Sequence, residues 1–246
     1  MVDAIILAGG SAKELDSAPA KGLVSINGRP MVEYVIGALR QCEDIDRICV
    51  VVPVEYSYSE SSGKVGVKVA SGTLPQVAKT GIDCLGSSKP VLMLSADIPL
   101  ITPEAISDFL KRCAGYNADF YYPIVRYGES EKRFPDVKRT YARVREGRFT
   151  GGNIILINPR FINRNMGIIE RIYELRKKPI KIAQVLGFSF LFRFVLGMLT
   201  IGQIEDRIGQ LTNSVCRAVE TPYVEIGIDV DKESDLQLVK AVLVGG

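Results

Sequence analysis

Four groups of residues in this sequence have types and spacings suited to chemistry on an anion. The first is "ILAGG", in which an apolar run ends in Gly9-Gly10; Lys21 follows, and then the turn Asn27-Gly28-Arg29-Pro30. A strand that breaks into two glycines can bend sharply and aim successive backbone N–H groups at an anion, because glycine accepts positive φ and carries no side chain. A plain tight turn and a solvated lysine would be spelled with the same letters. The two commoner phosphate loops are excluded: no GxxxxGK[ST] is present, and Gly9-Gly10-Ser11 is not GxGxxG.

The second group is "VLMLSADIPLITPEAI", which places Asp97 just after an apolar strand, with Pro99 ending the strand and Thr102 available to cap the next helix. A carboxylate there suits Mg²⁺, a hard cation that prefers oxygen ligands, or it serves as a turn aspartate bonded to its own backbone. In the third, Lys138 and Arg139 offer charge-assisted donors to a second anion, and Gly151-Gly152-Asn153 makes a tight approach beside an amide that can donate and accept. A basic hairpin with a glycine turn is the plainer alternative. The fourth is "EIGIDVDKESDL", whose Asp229 and Asp231 share one face if the strand continues.

These residues need a scaffold, and the sequence supplies one. Short apolar runs at Ala4–Ala8, Ile48–Val52, Val65–Val69 and Val91–Ser95 alternate with amphipathic stretches at Met31–Gln41, Leu74–Leu85 and Pro103–Cys113. That is the pattern of a parallel sheet covered by helices, and "RICVVV" and "PVLML" read as strands buried on both faces. After Ala118, "ADFYYPIV", "TYARVREG" and "NIILIN" read as strands joined by polar turns, a small inserted or antiparallel portion. A helical region from Pro159 to Gly209 follows, then strand-like "RAVETPYVEIGIDVD" and a last helix over Lys232–Val244. With 246 residues and no linker, a single α/β domain over 1–246 is expected.

Composition removes several function classes. The chain has no histidine, which excludes Ser-His-Asp hydrolysis, HExxH zinc chemistry and phosphohistidine mechanisms. A net charge of +3 is too mild for nucleic acid but suits small anionic substrates. The five cysteines stand apart, with no CxxC pair, so reduced thiols and a cytoplasmic setting are expected. No basic start, apolar run and cleavage site precede Ile5, so no signal peptide is expected.

"LAGG", Lys21 and "NGRPMVEYVIGAL" together resemble the MobA-like nucleoside triphosphate transferases, relatives of molybdenum cofactor guanylyltransferase and of sugar-phosphate nucleotidyltransferases. The resemblance implies a three-layer α/β/α, Rossmann-like fold with a mostly parallel mixed sheet, and a glycine loop (Leu7, Ala8, Gly9, Gly10) wrapped around a nucleoside triphosphate. It also implies that Lys21 neutralises charge at the α-phosphate. Glu14 stands where the family carries an arginine for the outer phosphates; adjacent Lys13 is the candidate substitute. "SADIPLITPE" resembles the family's metal-binding segment and "DVDKESDL" its closing acidic segment, implying a Mg²⁺ site of Asp97 and Asp231, with Asp229 beside them. Gly72 and Gln76 fall in the base-recognition region, and Gly151, Gly152 and Asn153 resemble the acceptor-side segment.

The reaction implied is Mg²⁺-dependent transfer of a nucleotidyl group to a small, phosphorylated acceptor, with pyrophosphate released. A phosphate acceptor is already deprotonated at neutral pH, so the missing imidazole is no obstacle. Two alternatives stay open: a nucleotide-binding regulatory protein without turnover, which Glu14 favours, and a sugar-nucleotide-dependent glycosyltransferase, in which an acid pair is expected where Asp97-Ile98-Pro99 stands. The apolar stretch 183–201 carries Arg193 in its middle, which disfavours a membrane span. A buried or subunit-contact helix, such as a homodimer would provide, is expected there, ahead of shallow membrane-surface contact.

Overall fold

The computed structural model describes residues 1–9, 20–54, 63–135, 137, 139–175 and 178–245. The chain opens with strand β1 (Val2–Leu7), a 3-10 turn over Lys21–Leu23, and the hairpin β2 (Ser25–Ile26) and β3 (Arg29–Pro30). Asn27 and Gly28 both have positive φ (51° and 80°), as a two-residue hairpin turn requires. Helix α1 (Met31–Gln41), strands β4 (Ile45–Val52) and β5 (Val65–Val69), helix α2 (Leu74–Leu85), strand β6 (Val91–Ser95) and helix α3 (Pro103–Ala114) follow in the expected alternation. As expected, Thr102 caps α3, its Oγ1 accepting from Ala105 N at 3.2 Å.

The second half contains β7 (Phe120–Arg126), α4 (Tyr127–Arg133), β8 (Ala142–Val144), β9 (Gly147–Gly151) and β10 (Ile154–Ile157). It continues through α5 (Pro159–Leu175), α6 (Pro179–Leu186), α7 (Phe188–Val195), α8 (Ile201–Thr212), β11 (Cys216–Glu220) and α9 (Glu233–Gly245). The main sheet runs β5-β4-β1-β6-β10-β7-β9-β8, with β11 on the other edge of β7. Pairing is parallel among β5, β4, β1 and β6 and between β7 and β11, while β10, β9 and β8 join antiparallel. The mixed, mostly parallel sheet is as anticipated. The expected inserted β portion is an extension of this sheet, carried by the β8–β9 hairpin.

Two apolar cores cover the sheet. One face packs Ala4, Ile6, Leu92 and Leu94 against Val35, Leu39 and Phe109 of α1 and α3; the other packs Ile5, Val51 and Met93 against Ile82 of α2 and Phe161 and Ile162 of α5. This is the three-layer arrangement. Cys42, Cys49, Cys113 and Cys216 are buried and Cys84 is exposed, all unbridged; burial pushes the Cys113 thiol up to about 12.

Three expectations are corrected. "TPYVEIGIDVD" is not a strand: a 3-10 turn over Val224–Gly227 and an extended, unpaired segment occupy it. Helix α4 stands in a region read as strands and turns. The stretch 183–201 is not one buried helix. Gly187, at φ 100°, separates α6 from α7, and Phe188, Phe192 and Val195 are 63%, 67% and 73% exposed. Among the described residues, no helix is long and apolar enough to cross a membrane.

The strand that delivers the glycine loop is anchored at its start by a charge. Asp3 is buried, and its carboxylate accepts from Arg47 Nε at 3.1 Å and Nη2 at 2.6 Å. Burial works against this carboxylate, but the Arg47 guanidinium, aided by the Ser87 hydroxyl, outweighs it and holds the pKa below the ordinary 3.8. A depressed folded pKa contributes stability that is present above the unfolded value and lost as pH falls through the folded one. Arg47→Ala leaves the carboxylate buried without its partner. Because Arg47 is half-exposed, the expected loss at pH 7 is about 1–2 kcal/mol, less than for a fully buried pair. In urea denaturation the gap between parent and variant should close as the pH drops below 3.8, and a gap independent of pH would contradict this account.

Candidate active site

The carboxyl ends of β1, β4 and β6 open into a cavity of about 1060 Å³ lined by Leu7, Gly9, Lys21, Gly72, Ser95, Asp97, Gly152, Asn153, Tyr173 and Asp231 among others. Ligands of open α/β sheets gather at this end of the strands. Val51, Val77, Met93 and Ile155 supply apolar wall, and charged side chains cluster at one side.

The charged cluster is built by backbone register. Ala96 N donates to Leu7 O at 3.2 Å, so the chain leaving β6 runs beside the end of β1. Val230 N then donates to Asp97 O at 2.9 Å, while the Val230 side chain is fully buried. Asp229 and Asp231, on either side of this anchored residue, are thereby brought to Asp97, and one carboxylate oxygen from each of the three lies within 4.8 Å of the others.

Lys21 reaches this cluster from its 3-10 turn. Its Nζ pairs with Asp231 Oδ1 and lies 3.5 Å from Asp97 Oδ2. Burial opposes the ammonium charge, and Asp231, Asp97 and Asp229 outweigh it, holding the lysine above its ordinary pKa. Arg139 Nη1 pairs with Asp229 Oδ1 at 2.8 Å and its Nε donates to Thr150 Oγ1 at 3.4 Å. Asp97 is pushed up, first by burial and then by Asp229 and Asp231; the Ser95 hydroxyl, which donates to Asp97 Oδ1, and Lys21 act against this. Three carboxylates facing two side-chain cations keep a net negative charge, and an all-oxygen donor set of this kind fits a hard divalent cation.

Of the residues expected from sequence, Leu7, Gly9, Lys21, Gly72, Asp97, Gly152, Asn153 and Asp231 line the cavity, and Asp229 and Arg139 adjoin it. Ala8 is fully buried behind it. Gly10, Lys13, Glu14 and Lys138 lie outside the described residues. Gln76 departs from its expected role. Its Oε1 accepts from Thr73 N at 2.9 Å and its Nε2 donates to Glu170 at 3.0 Å, so the start of α2 engages the amide that base recognition would need. Gly151 is also redirected: the Tyr122 phenol lies where a Cβ would stand, and Gly151 lines a second cavity.

Sequence reasoning missed Ser95, Tyr173 and Gly22. Gly22 is required by contact, since a Cβ there would lie 2.9 Å from the Ala96 Cβ and 3.4 Å from the Ala8 Cβ. The turn carrying Lys21 therefore rests directly on the ends of β1 and β6. The small residues of "LSAD" and "LAG" were the available signal.

The MobA-like NTP transferase domain family matches residues 4–164. The chain belongs to this family of nucleotidyltransferases. Among curated relatives, it is 32% identical over 127 residues to 2-C-methyl-D-erythritol 4-phosphate cytidylyltransferase of Clostridium botulinum, covering 48% of this chain and 56% of that one. It is 34% identical over 107 residues to the bifunctional protein GlmU of Rhodospirillum rubrum, covering 42% of this chain and 24% of that protein. Among solved structures, a hypothetical transferase from Thermus thermophilus matches with a TM-score of 0.86 and 34% identity, over 96% of this chain and 99% of the other. The 4-diphosphocytidyl-2C-methyl-D-erythritol synthase of Anaerococcus prevotii, at TM-score 0.60 and 15% identity over 99% and 96% of the two chains, shares the fold.

Gly22→Ala should lower stability by about 1–3 kcal/mol, the range for an added methyl in a packed site, because neither alanine methyl opposite it can swing away. An unchanged urea midpoint would mean that the lysine turn is not seated on the strand ends.

Proposed function

We propose that the protein is a cytoplasmic, single-domain nucleotidyltransferase that uses Mg²⁺ to move a nucleoside monophosphate from a nucleoside triphosphate to a small phosphorylated acceptor. The observation that carries this reading is the convergence of Lys21 and the Asp97, Asp229 and Asp231 carboxylates at the mouth of one large cavity at the strand ends. The triphosphate enters over Leu7 and Gly9, the base lies toward Gly72 and the apolar wall, and the acceptor approaches from the side of Gly152, Asn153 and Arg139. Asn153 is well suited to hold a ligand group, since its buried Nδ2 has no partner among the described residues.

The acceptor phosphate oxygen forms a bond to the α-phosphorus as the bond to the bridging β-phosphate oxygen breaks, and pyrophosphate leaves with that electron pair. Lys21 exchanges its carboxylate partners for the α-phosphate oxygens, where its charge opposes the negative charge of the transition state. Arg139, and Lys138 beside it in sequence, orient the acceptor phosphate. Asp97, Asp229 and Asp231 would hold Mg²⁺, which would add positive charge to offset the negative charge of the triphosphate. A second reading, nucleotide binding without turnover, is favoured by Glu14 in place of the family's arginine.

A thermal-shift panel of nucleoside triphosphates, with and without Mg²⁺, should find at least one that stabilises the protein only with the metal present. With that nucleotide and an acceptor, Lys21→Ala and Asp97→Asn should each reduce pyrophosphate release roughly a hundredfold or more, as loss of one transition-state charge partner does. Full activity in either variant refutes this site. Binding without pyrophosphate release across phosphorylated acceptors supports the second reading.

A further inference from the structure

A second cavity, of about 460 Å³, lies beside the first and has a different character. Its walls are largely apolar, drawn from Phe120, Tyr122 and Ile124 of β7, Phe194 of α7, and Ile204 and Ile208 of α8. The two charged side chains at its edge are already paired: Glu205 accepts from Arg217 Nη1 at 2.7 Å and from Ala218 N at 2.7 Å. Among the described residues, an occupant therefore finds mostly hydrocarbon contacts and no unpaired charge inside, and the volume falls in the range of small-ligand sites.

The second cavity meets the active site at one point. Gly151 lines the second cavity and Gly152 the first, while Thr150, also in the second wall, accepts from Arg139, whose other arm holds Asp229. Tyr122 lies across Gly151 at this junction. A molecule whose head group met Arg139 would thus have its tail directed between β7 and α8. The rim adds an independent observation: Phe194 closes one wall, and from the same helix Phe188, Phe192 and Val195 stand exposed, an apolar surface beside the entrance.

We propose that this cavity receives the hydrocarbon chain of the acceptor, so that the substrate is an amphiphilic phosphate monoester, a chain carrying a terminal phosphate, rather than a sugar or polyol phosphate. The inference deepens the proposed nucleotidyl transfer and rests on it for the fate of the phosphate. Arg139 meets the phosphate, Tyr122 and Gly151 form the neck, and the chain replaces water against Phe120, Ile204 and Ile208.

Calorimetric titration with decyl phosphate below its micelle concentration, and with glycerol 3-phosphate as the polar control, tests this directly. The parent protein should bind decyl phosphate at least tenfold more tightly. Ile204→Trp, which fills the cavity, should remove that preference, and Ala218→Val, a gentler change on the same wall, should reduce it; both should keep the nucleoside triphosphate thermal shift. Equal binding of the two phosphates, or an undiminished preference in a folded Ile204→Trp, overturns the inference while leaving nucleotidyl transfer intact. Cavity-dependent decyl phosphate binding with no nucleotide shift supports the apolar site and overturns the transfer reading instead. A parent dimer that Ile204→Trp converts to a monomer would assign the cavity to a second copy of the chain and overturn the inference.

Discussion

Carboxylates held within 4.8 Å of one another repel by on the order of 3 kcal/mol per pair at an effective dielectric of 20, and Asp97, Asp229 and Asp231 are held that closely. The arrangement survives because Lys21 and Arg139 reach into it, each from a separate part of the chain. Most of what is specific about the fold serves this charge balance. Gly22 lets the lysine turn rest on two strand ends, Val230 ties the closing segment to Asp97, and Arg139 joins Asp229 to the β9 strand at Thr150. A site assembled in this way has its side-chain cations already committed to protein carboxylates.

The parallel half of the fold was legible because its signals are local. Continuous Val, Ile and Leu runs marked β4 and β6, and proline and threonine marked the start of α3, so the elements fall within a few residues of their expected bounds. The convergence of Lys21, Asp97 and Asp231 on one cavity was legible for a related reason, since each stands just beyond such an element or in a motif of fixed letters. Gln76 was not, because the third position of a helix is where a glutamine commonly turns back to the helix start, and that local bond outcompetes a ligand. The segment 224–231 also misled. Its alternation of apolar and polar residues is that of a strand, yet the alternation here reflects Ile226, Ile228 and Val230 packing into the core with no neighbouring strand to pair.

The stretch 183–201 shows the opposite failure, in which composition outweighed geometry. Its length and apolarity predict burial, but Gly187 divides it into two helices of eight residues each, and helices that short cannot turn every apolar side chain inward. Ala183 and Leu199 are buried at its ends, whereas α7 buries none of its residues fully. Hydrophobicity along α7 marks exposed surface and not a piece of the core.

The bend at Gly151–Asn153 joins these two themes. Residues 147–157 run along one edge of β7 as β9 and β10, and at the bend the chain turns from one partner to another: Gly152 N donates to Pro123 O at 3.0 Å and Asn153 N to Ile226 O at 2.9 Å. A side chain at Gly152 would collide with Ile226 and Pro123, and one at Gly151 with Tyr122, so both glycines are fixed by close approach. The consequence is that a polar, charge-lined cavity and an apolar cavity adjoin at Gly151 and Gly152. A single bend thus sets the walls of two cavities of opposite character, because close packing at its two glycines leaves no room for a side chain on either side.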